Sequence, residues 1–251
     1  MSYKIKSYHK PYLCRLMAEE FYNGTVTNII DESPTVKRYF IAIDGVEQFD
    51  FLPGQFVMLD MPIQHEFTTR SYSIASAPKG NEIELCIVLK NDGQGTPYLF
   101  KNIKVGSTLK VSAAQGRFYL KNPIETDICL IATGTGVAPL RSMLHHIFNN
   151  NIAHKNVYLV FGNRTEKDIL YRAEFEELEK QYSEFKFLPT LSREEWEGEK
   201  GYVHPVYQKL FNGSQPAVFY ICGWSSMVKE AKNNLKAMGY PRKQVNFELY
   251  D

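Results

Sequence analysis

The second half of the chain opens with an apolar run that is followed at once by a helical pattern. The run is ICLIATG at residues 128–134, and helical spacing follows in VAPLRSMLHHIF at residues 137–148. Short apolar segments and amphipathic segments then alternate to the C-terminus. Buried strands that alternate with amphipathic helices are typical of βαβ units, in which helices cover both faces of a parallel sheet. The sequence therefore predicts a doubly wound α/β domain.

The first half shows a different pattern, with six short strand-like segments between residues 24 and about 120. They are GTVTNII, VKRYFIAI, QFVMLDM, RSYSIAS, EIELCIVL and TLKVSAA. Their spacing is that of a small antiparallel β-barrel or sandwich, and of the two we expect a barrel, with one helix, starting at Gly95, between the fifth and sixth strands. A polar turn around Pro123 ends this pattern. We therefore expect an N-terminal arm at residues 1–22, a β-barrel domain at 23–122 and an α/β domain at 123–251.

Composition narrows the class of protein. The 251 residues carry a formal net charge of +1, which argues against a nucleic-acid-binding surface. No apolar run is long enough to cross a membrane, and the first residues lack the apolar centre of a secretory signal, so we expect a cytoplasmic protein without a membrane partner. The four cysteines are too far apart for a CxxC motif. They are expected to be free thiols in a reducing compartment, and no metal site is predicted.

The segment LIATGTGVAPLRSML carries the clearest local signal for ligand binding. A strand ends at Thr133, Gly134 and Gly136 permit a tight turn, and Pro139 lies in the first turn of the next helix. Exposed N–H groups at a helix N-terminus suit a pyrophosphate. The spacing GxGxxP departs from the GxGxxG dinucleotide fingerprint, and a purely structural glycine turn is the alternative, but the flanking threonines favour a functional turn.

A second candidate is the loop TLSREEWEGEKGY. Ser192 and Arg193 follow a predicted strand, with Lys200 and Tyr202 further along the loop. A hydroxyl and two cations at the carboxyl end of a strand would suit a phosphate monoester, such as the 2′-phosphate of NADP. The alternative is a solvated loop whose cations pair with its four glutamates. Spacing alone leaves the two interpretations evenly balanced.

Six motifs in order then make the chain resemble the ferredoxin-NADP reductase superfamily of flavoproteins. The motifs are RSYS, GQGT, ATGTGVAP, FGNRTEKDILY, YICGWSSM and FELY. They cover the chain from Asn23 to the C-terminus. The resemblance implies that the barrel domain binds FAD and that the α/β domain binds the nicotinamide cofactor.

On this resemblance, five residues of the barrel domain would bind FAD. Arg70 would pair with the flavin pyrophosphate, Tyr72 would lie against the isoalloxazine ring, and Ser73 would hydrogen-bond near its N5 edge. Gly95 and Thr96 would start the helix that provides the other half of the pyrophosphate site.

The same strand has structural alternatives. Without the resemblance, Tyr72 would be an ordinary inward-facing aromatic residue and Arg70 would form a surface ion pair with Glu66. No role is assigned to Ser71, and Ser76 is expected only to end the strand.

In the α/β domain the resemblance implies that Thr133, Gly134 and Gly136 hold the nicotinamide cofactor's pyrophosphate. Arg164 and Asp168 would contact its ribose and phosphate, or else pair with each other. The resemblance also raises the expectation that the loop with Ser192, Arg193, Lys200 and Tyr202 binds the 2′-phosphate of NADP, with NADH as the alternative cofactor.

The resemblance places the reaction at a polar cluster of Ser73, Cys222 and Glu248, which we expect to be the catalytic residues. They would position and polarise the two cofactor rings rather than form covalent intermediates. Cysteine is also a common buried residue, so the sequence alone would not single out Cys222. Tyr250 would stack on the flavin, although Asp251 follows it where the plant-type family ends in tyrosine.

The predicted function is hydride transfer between NADP(H) and FAD, with single electrons passing to a separate carrier such as ferredoxin or flavodoxin. Two alternatives within catalysis are an NADH-dependent oxygenase reductase component and a free-flavin reductase. A third is a non-catalytic module that binds both cofactors as a sensor. Basic residues near the C-terminus would offer an acidic carrier a docking face, or simply form a solvated helix face; they are Lys229, Lys232, Lys236, Arg242 and Lys243. The oligomeric state is not predicted.

Overall fold

The computed structural model describes residues 21–63, 66–212 and 215–250. Most of the predicted N-terminal arm, together with Cys14 and Asp251, lies outside the described residues. The first strand begins at Phe21, inside the predicted arm. The described strands form two sheets of six strands each.

The first sheet is antiparallel and confirms the predicted barrel-type domain. Its strand order is β4-β3-β6-β1-β2-β5, and a bridge between Ile74 and Leu85 brings the β4 end next to β5. Helix α1 (Gly95–Asn102) lies between β5 and β6, as predicted. Alternation in β2 buries Tyr39, Ile41 and Ile43 in the core. The strands are β1 (Phe21–Ser33), β2 (Val36–Ile43), β3 (Phe56–Ile63), β4 (Glu66–Ser73), β5 (Glu82–Val88) and β6 (Thr108–Ser112).

The second sheet is parallel and confirms the predicted α/β domain. Its order is β10-β9-β8-β7-β11-β12, so the chain reverses direction across the sheet between β7 and β11. Such a switch point opens a crevice at the carboxyl ends of the two strands. The strands are β7 (Asp127–Thr133), β8 (Val157–Asn163), β9 (Phe185–Leu191), β10 (Glu199–Lys200), β11 (Ala217–Trp224) and β12 (Val245–Tyr250). The helices are α2 (Val137–Asn149), α3 (Arg172–Gln181), α4 (Val203–Leu210) and α5 (Ser225–Ala237).

Three local features differ from the predicted elements. Strand β4 ends at Ser73 rather than Ser76, because Ile74 forms only an isolated bridge. Helix α4 begins at Val203, ahead of the predicted segment VYQKLF, because its proline lies in the first turn, where no N–H donor is required. Residues 199–200, predicted as part of a loop, pair with β9.

Cys86, Cys129 and Cys222 are buried free thiols, as expected. No helix in the described part of the chain is long and apolar enough to cross a membrane.

Candidate active site

The two sheets meet at a polar pair, the buried Ser73 and the half-buried Glu248. Ser73 Oγ, at the end of β4, donates a hydrogen bond to Glu248 Oε2 on β12 at 3.1 Å. Cys222 on β11 is the register partner of Glu248 and is fully buried. The three residues predicted to be catalytic are therefore brought together, although they come from three strands and from both sheets.

Burial sets the protonation of this cluster. It raises the pKa of Glu248 to about 7, and the hydrogen bond from Ser73 opposes the rise only in part. Burial also raises the pKa of the Cys222 thiol well above its usual range. A neutral thiol is a poor nucleophile. The cluster is thus suited to orienting bound groups and to holding one proton near neutral pH.

Tyr250 lies beside the same cluster. It ends β12 in register with Trp224, and its phenol interacts with Ser73. Burial, with the neighbouring Cys222 and Glu248, raises the pKa of Tyr250 well above its usual range, so the phenol stays neutral. Its predicted stacking on the flavin stays a prediction.

Arg70 and Tyr72 lie on β4 at the start of helix α1. The Arg70 side chain is exposed and donates from Nη1 to the Thr69 carbonyl oxygen at 2.8 Å. It forms no ion pair with the side chains that the structure describes, and the side chain of Glu66, its alternative partner, lies outside them. Burial raises the pKa of Tyr72 to about 12, and the nearby charge of Arg70 opposes the rise. A Cβ added to Gly95 would lie 3.2 Å from Arg70 Cγ and 3.5 Å from Tyr72 Oη. Glycine therefore lets the helix start approach both side chains closely.

The start of α1 has the features of a diphosphate site. No side chain caps its first turn among the described residues, which leaves backbone N–H groups free to meet an anion beside the exposed Arg70 charge. Thr96 Oγ1 accepts a hydrogen bond from the Lys90 N–H at 2.8 Å and so ties the loop after β5 to this helix. These residues fit the diphosphate of FAD.

Tyr39 is a feature of this region that the sequence did not reveal. Its side chain is 1% exposed, and its hydroxyl has no hydrogen-bond partner in the part of the chain that the structure describes. Its ring lies 6.4 Å from that of Phe100 on α1, and it belongs to the core against which Tyr72 packs. A buried hydroxyl without a partner costs roughly 1–3 kcal/mol. A polar group of a bound cofactor would satisfy it, which agrees with the fit of FAD here.

The glycine turn lies at the switch point of the parallel sheet. Residues Gly134–Gly136 form a short 3₁₀ turn between β7 and α2, and Gly134 has a left-handed φ of 54°. Thr133 Oγ1 accepts a hydrogen bond from the Trp224 N–H at 3.1 Å. A Cβ added to Gly136 would lie 2.4 Å from the Cys222 carbonyl oxygen. The turn is therefore packed against the strand that carries Cys222, with the N-terminus of α2 at the crevice, which suits a dinucleotide pyrophosphate.

The predicted phosphate loop lines a surface cavity of about 210 Å³. Ser192, Arg193 and Lys200 all face it, together with Glu194 and Glu195. Lys200 forms an ion pair with Glu195. The structure thus brings the hydroxyl and both cations together, but with carboxylates among them. Tyr202 lies at the start of α4 and is 73% exposed.

Arg164 follows the end of β8 beside this cavity. It is exposed, and its carbonyl oxygen accepts a hydrogen bond from the Arg193 N–H at 2.9 Å. The alternative partner, Asp168, instead accepts from the Thr165 N–H at 3.0 Å and the Thr165 hydroxyl at 2.7 Å. Within the described residues Arg164 and Asp168 form no ion pair, so Arg164 is free to meet a ligand.

A buried contact that the sequence did not reveal joins the two domains. Arg141 on α2 forms an ion pair with Glu84 on β5, and the neighbouring Ser142 Oγ donates to the Ser76 carbonyl oxygen at 2.6 Å. Ser76, expected only to end a strand, therefore joins the two domains. The signal in the sequence was an arginine within the apolar stripe VAPLRSML, where a charge must find a partner.

Comparison with known families agrees with this geometry. Residues 23–119 match an oxidoreductase FAD-binding domain, and residues 130–233 match an oxidoreductase NAD-binding domain. The chain is 36% identical over 231 residues to ferredoxin–NADP reductase B of Sorangium cellulosum, covering 87% of this chain and 93% of that protein. It is 32% identical to the phenol 2-monooxygenase reductase component DmpP of a Pseudomonas species, but spans only 62% of that protein.

Solved structures show the same fold at lower identity. The FAD/NAD-binding domain of a Vibrio cholerae nitric oxide dioxygenase matches with a TM-score of 0.84 at 21% identity, covering 91% of this chain and 98% of that one. A ferredoxin NADP⁺ reductase from Neisseria gonorrhoeae, solved with FAD and NADP, matches with a TM-score of 0.79 at 24% identity and the same two coverages. FAD and a nicotinamide dinucleotide are the cofactors of this fold and of these two domains. The chain therefore belongs to the ferredoxin-NADP reductase superfamily of FAD-dependent NAD(P)H oxidoreductases.

Proposed function

We propose that this protein transfers hydride between NADP(H) and FAD and exchanges single electrons with a separate carrier such as ferredoxin or flavodoxin. The observation that carries the proposal is the Ser73–Glu248 hydrogen bond beside the buried Cys222, at the crevice between the two cofactor-binding domains. The resemblance to a ferredoxin–NADP reductase along 93% of that protein supports it.

Each residue of the cluster has a positioning role in this proposal. Bound FAD supplies the chemistry that converts two-electron hydride exchange into one-electron steps. Glu248 Oε2 fixes the Ser73 hydroxyl, and Glu248 itself gains or loses a proton near neutral pH. Cys222, a neutral buried thiol, closes the crevice against water. Arg70 and the uncapped start of α1 bind the FAD diphosphate, and Tyr250 covers the ring.

The proposed preference for NADPH rests on the cavity lined by Ser192, Arg193 and Lys200. Their hydroxyl and cationic groups match a phosphate monoester, which NADPH has and NADH lacks. Of the two cations, Lys200 is already paired with Glu195, whereas Arg193 has no ion pair within the described residues. Arg193 is therefore the residue on which discrimination depends most.

Replacing this arginine tests the assignment. In Arg193→Ala, we expect the KM for NADPH to rise about tenfold or more, since a hydrogen bond to a charged group contributes about 1.5–3 kcal/mol. The KM for NADH should change less than about twofold. Steady-state assays with both nucleotides measure this, and Arg172→Ala, an exposed arginine paired with Glu166 and Glu176, is the control. An equal loss for both nucleotides would contradict the 2′-phosphate assignment.

A second candidate function is that of an NADH-dependent oxygenase reductase or a free-flavin reductase. The carboxylates of Glu194 and Glu195 in the cavity favour it, because they would repel a phosphate. The similarity to oxygenase reductase components also favours it, although the chain spans only 60–62% of two of them.

A comparison of nucleotides and acceptors separates the two functions. Turnover of the FAD-loaded protein is measured with NADPH and NADH, each with ferredoxin, flavodoxin and free flavin as acceptor. NADPH preference with turnover of a protein carrier supports the first function. Strong NADH preference with free-flavin turnover rejects it.

The proposed carrier would have an acidic surface. Of the basic residues near the C-terminus, Lys232 Nζ lies 3.7 Å and the Arg242 guanidinium 5.0 Å from the centre of the Phe247 ring. Arg242 and Phe247 line one surface cavity with Glu248, so these cations lie close to the reaction cluster. They are the part of the basic face that we propose for carrier docking.

A further inference from the structure

A buried ion network joins the two domains beside the reaction cluster. Glu84 on β5 is 3% exposed and Arg141 on α2 is 7% exposed, and Arg141 Nη1 lies 2.9 Å from Glu84 Oε2. The second carboxylate oxygen, Oε1, accepts from Arg38 Nε at 2.6 Å and from the Tyr171 hydroxyl at 2.8 Å. Both guanidinium groups pack over the Tyr171 ring, 4.4 and 4.7 Å from its centre.

Arg141 uses its whole guanidinium fork. Its Nε and Nη2 donate to the two carboxylate oxygens of Glu174 at 2.6 and 2.8 Å. Its Nη1 donates to the Ala75 carbonyl oxygen at 2.8 Å as well as to Glu84. Burying charged groups costs several kcal/mol per ion unless their geometry and hydrogen bonds are nearly complete. Because all three guanidinium nitrogens donate here, through four hydrogen bonds, the guanidinium fixes the position of the groups that it contacts.

Arg141 links two chain segments that adjoin the two cofactor sites. Ala75 follows the end of β4, where Ser73 lies, and Ser142 Oγ holds the next carbonyl oxygen, that of Ser76, at 2.6 Å. On the other side, α2 starts directly after the Gly134–Gly136 turn. Arg141 and Ser142, which are consecutive on α2, thus donate hydrogen bonds to the carbonyl oxygens of the two consecutive residues Ala75 and Ser76, just after β4.

We propose that Arg141 is a positioning residue that sets the nucleotide turn at a fixed distance from Ser73, and hence the nicotinamide from the flavin. This inference rests on the proposed hydride transfer. A misplacement of about 1 Å between reacting groups can lower a rate about 100-fold. A lysine at this position keeps the charge but lacks the fork, so it cannot satisfy Glu174, Glu84 and Ala75 together.

The test compares wild type with Arg141→Lys, both loaded with FAD. We expect the stopped-flow rate of flavin reduction at saturating NADPH to fall at least about tenfold. We expect the flavin absorbance change induced by saturating NADP⁺ to shrink as well, while the Kd values for FAD and NADP⁺ stay within about twofold. The absorbance change reports ring placement without turnover. A residue that is only structural would lower the melting temperature and leave the reduction rate and the absorbance change as in wild type, and that result would overturn the inference.

Further variants keep the test decisive. Glu84→Gln keeps the side-chain shape but removes the charge, and should lower the reduction rate less than Arg141→Lys does. The double variant should lose less than the two single losses combined, because both act through one contact. If Arg141→Lys does not fold, Ser142→Ala, which removes only the bond to the Ser76 carbonyl, should still slow reduction several-fold. An unchanged rate in Ser142→Ala and Glu84→Gln would then overturn the inference.

Arg172→Lys is the matched control, since Arg172 lies on α3 and, among the described residues, its ion pairs are those with Glu166 and Glu176 in the same domain. Arg172→Lys should leave the rate of flavin reduction and the NADP⁺-induced absorbance change as in wild type. Failure of the proposed hydride transfer looks different, because wild type itself would then show no flavin reduction with either nucleotide. Wild-type reduction with an unaffected Arg141→Lys would reject the positioning role alone.

Discussion

Glu248 shows how one residue links burial to function. Its carboxyl lies in the crevice between the domains, and its described side-chain partner is the hydroxyl of Ser73. One neutral donor compensates poorly for lost water, so burial raises the pKa of Glu248 to about 7. A positively charged partner such as arginine would instead have lowered the pKa of Glu248. The cluster thus keeps a carboxyl that changes charge at neutral pH, beside a thiol that does not.

The raised pKa predicts the sign of a pH effect on stability. In the unfolded chain the carboxyl titrates near its usual value of 4.5, and in the folded protein near 7. Between these values the folded state binds more protons, so the free energy of unfolding falls as pH rises through this window and levels off above it. Glu248→Gln should remove this slope. Between pH 5 and pH 8 the free energy of unfolding should therefore fall by about 2 kcal/mol less in the variant than in wild type.

Urea unfolding of wild type, Glu248→Gln and the exposed control Glu177→Gln at both pH values measures this difference. A step near pH 7 in the rate of flavin reduction should also disappear in Glu248→Gln and persist in the control. Wild type and Glu248→Gln with parallel pH dependence would show that the carboxyl is not buried as described.

Local pattern predicted most elements but not how they approach one another. The run ICLIATG and the spacing of VAPLRSMLHHIF predicted β7 and α2 because burial imposes a period on each. The two-residue strand β10 has no period to detect, and it was missed. The sequence predicted that Gly136 belongs to a ligand-binding turn. Its close approach to the Cys222 carbonyl could not be predicted from a local pattern, because β11 is distant in the sequence.

This close approach predicts the effect of a single methyl group at the turn. Gly136→Ala would place Cβ 2.4 Å from the Cys222 carbonyl oxygen, which belongs to backbone held by the β7–β11 ladder. We expect a loss of about 1–3 kcal/mol in the free energy of unfolding, as for overpacked sites, and at least about tenfold weaker NADP⁺ binding.

Gly106→Ala is the matched control for this variant. Gly106 has a φ of 86° and open space around it, so the substitution should cost about 1–2 kcal/mol through backbone strain alone. NADP⁺ affinity should be unchanged. Urea unfolding and nucleotide titration distinguish the two variants, and equal NADP⁺ affinity in both would mean that the turn tolerates the methyl group.

At the scale of the whole molecule, the two domains were predictable and their junction was not. Each half of the chain has its own pattern of apolar residues, and these patterns predict the antiparallel barrel and the parallel sheet that the structure shows. The Ser73–Glu248 pair was expected only through the family resemblance, because its members are 175 positions apart. Arg141, Glu84 and Glu174 carry no periodic signal either, since each is a single charge whose partner lies far along the chain.

The junction also predicts how acid destabilises the protein. Burial alone would raise the pKa of Glu174, but the hydrogen bonds from His145 and Arg141, and their charges, outweigh it and lower the pKa to about 2. Because this value lies below that of the unfolded chain, Glu174 stabilises the fold above about pH 4.5, and the contribution is lost as pH falls toward 2. Between pH 5 and pH 3 we expect wild type to lose about 1–2 kcal/mol through this group.

At pH 5, Glu174→Gln should be less stable than wild type, because it leaves the Arg141 charge partly unpaired. Its free energy of unfolding should then fall less than that of wild type between pH 5 and pH 3. Urea unfolding at pH 5 and pH 3 tests this, with the exposed Glu177→Gln again as control. Since Arg141 also holds Glu84 and the Ala75 carbonyl, the FAD-loaded Glu174→Gln protein should reduce flavin more slowly already at neutral pH. A variant that loses stability but keeps the wild-type reduction rate would assign Glu174 to the stability of α3 rather than to the junction between the domains.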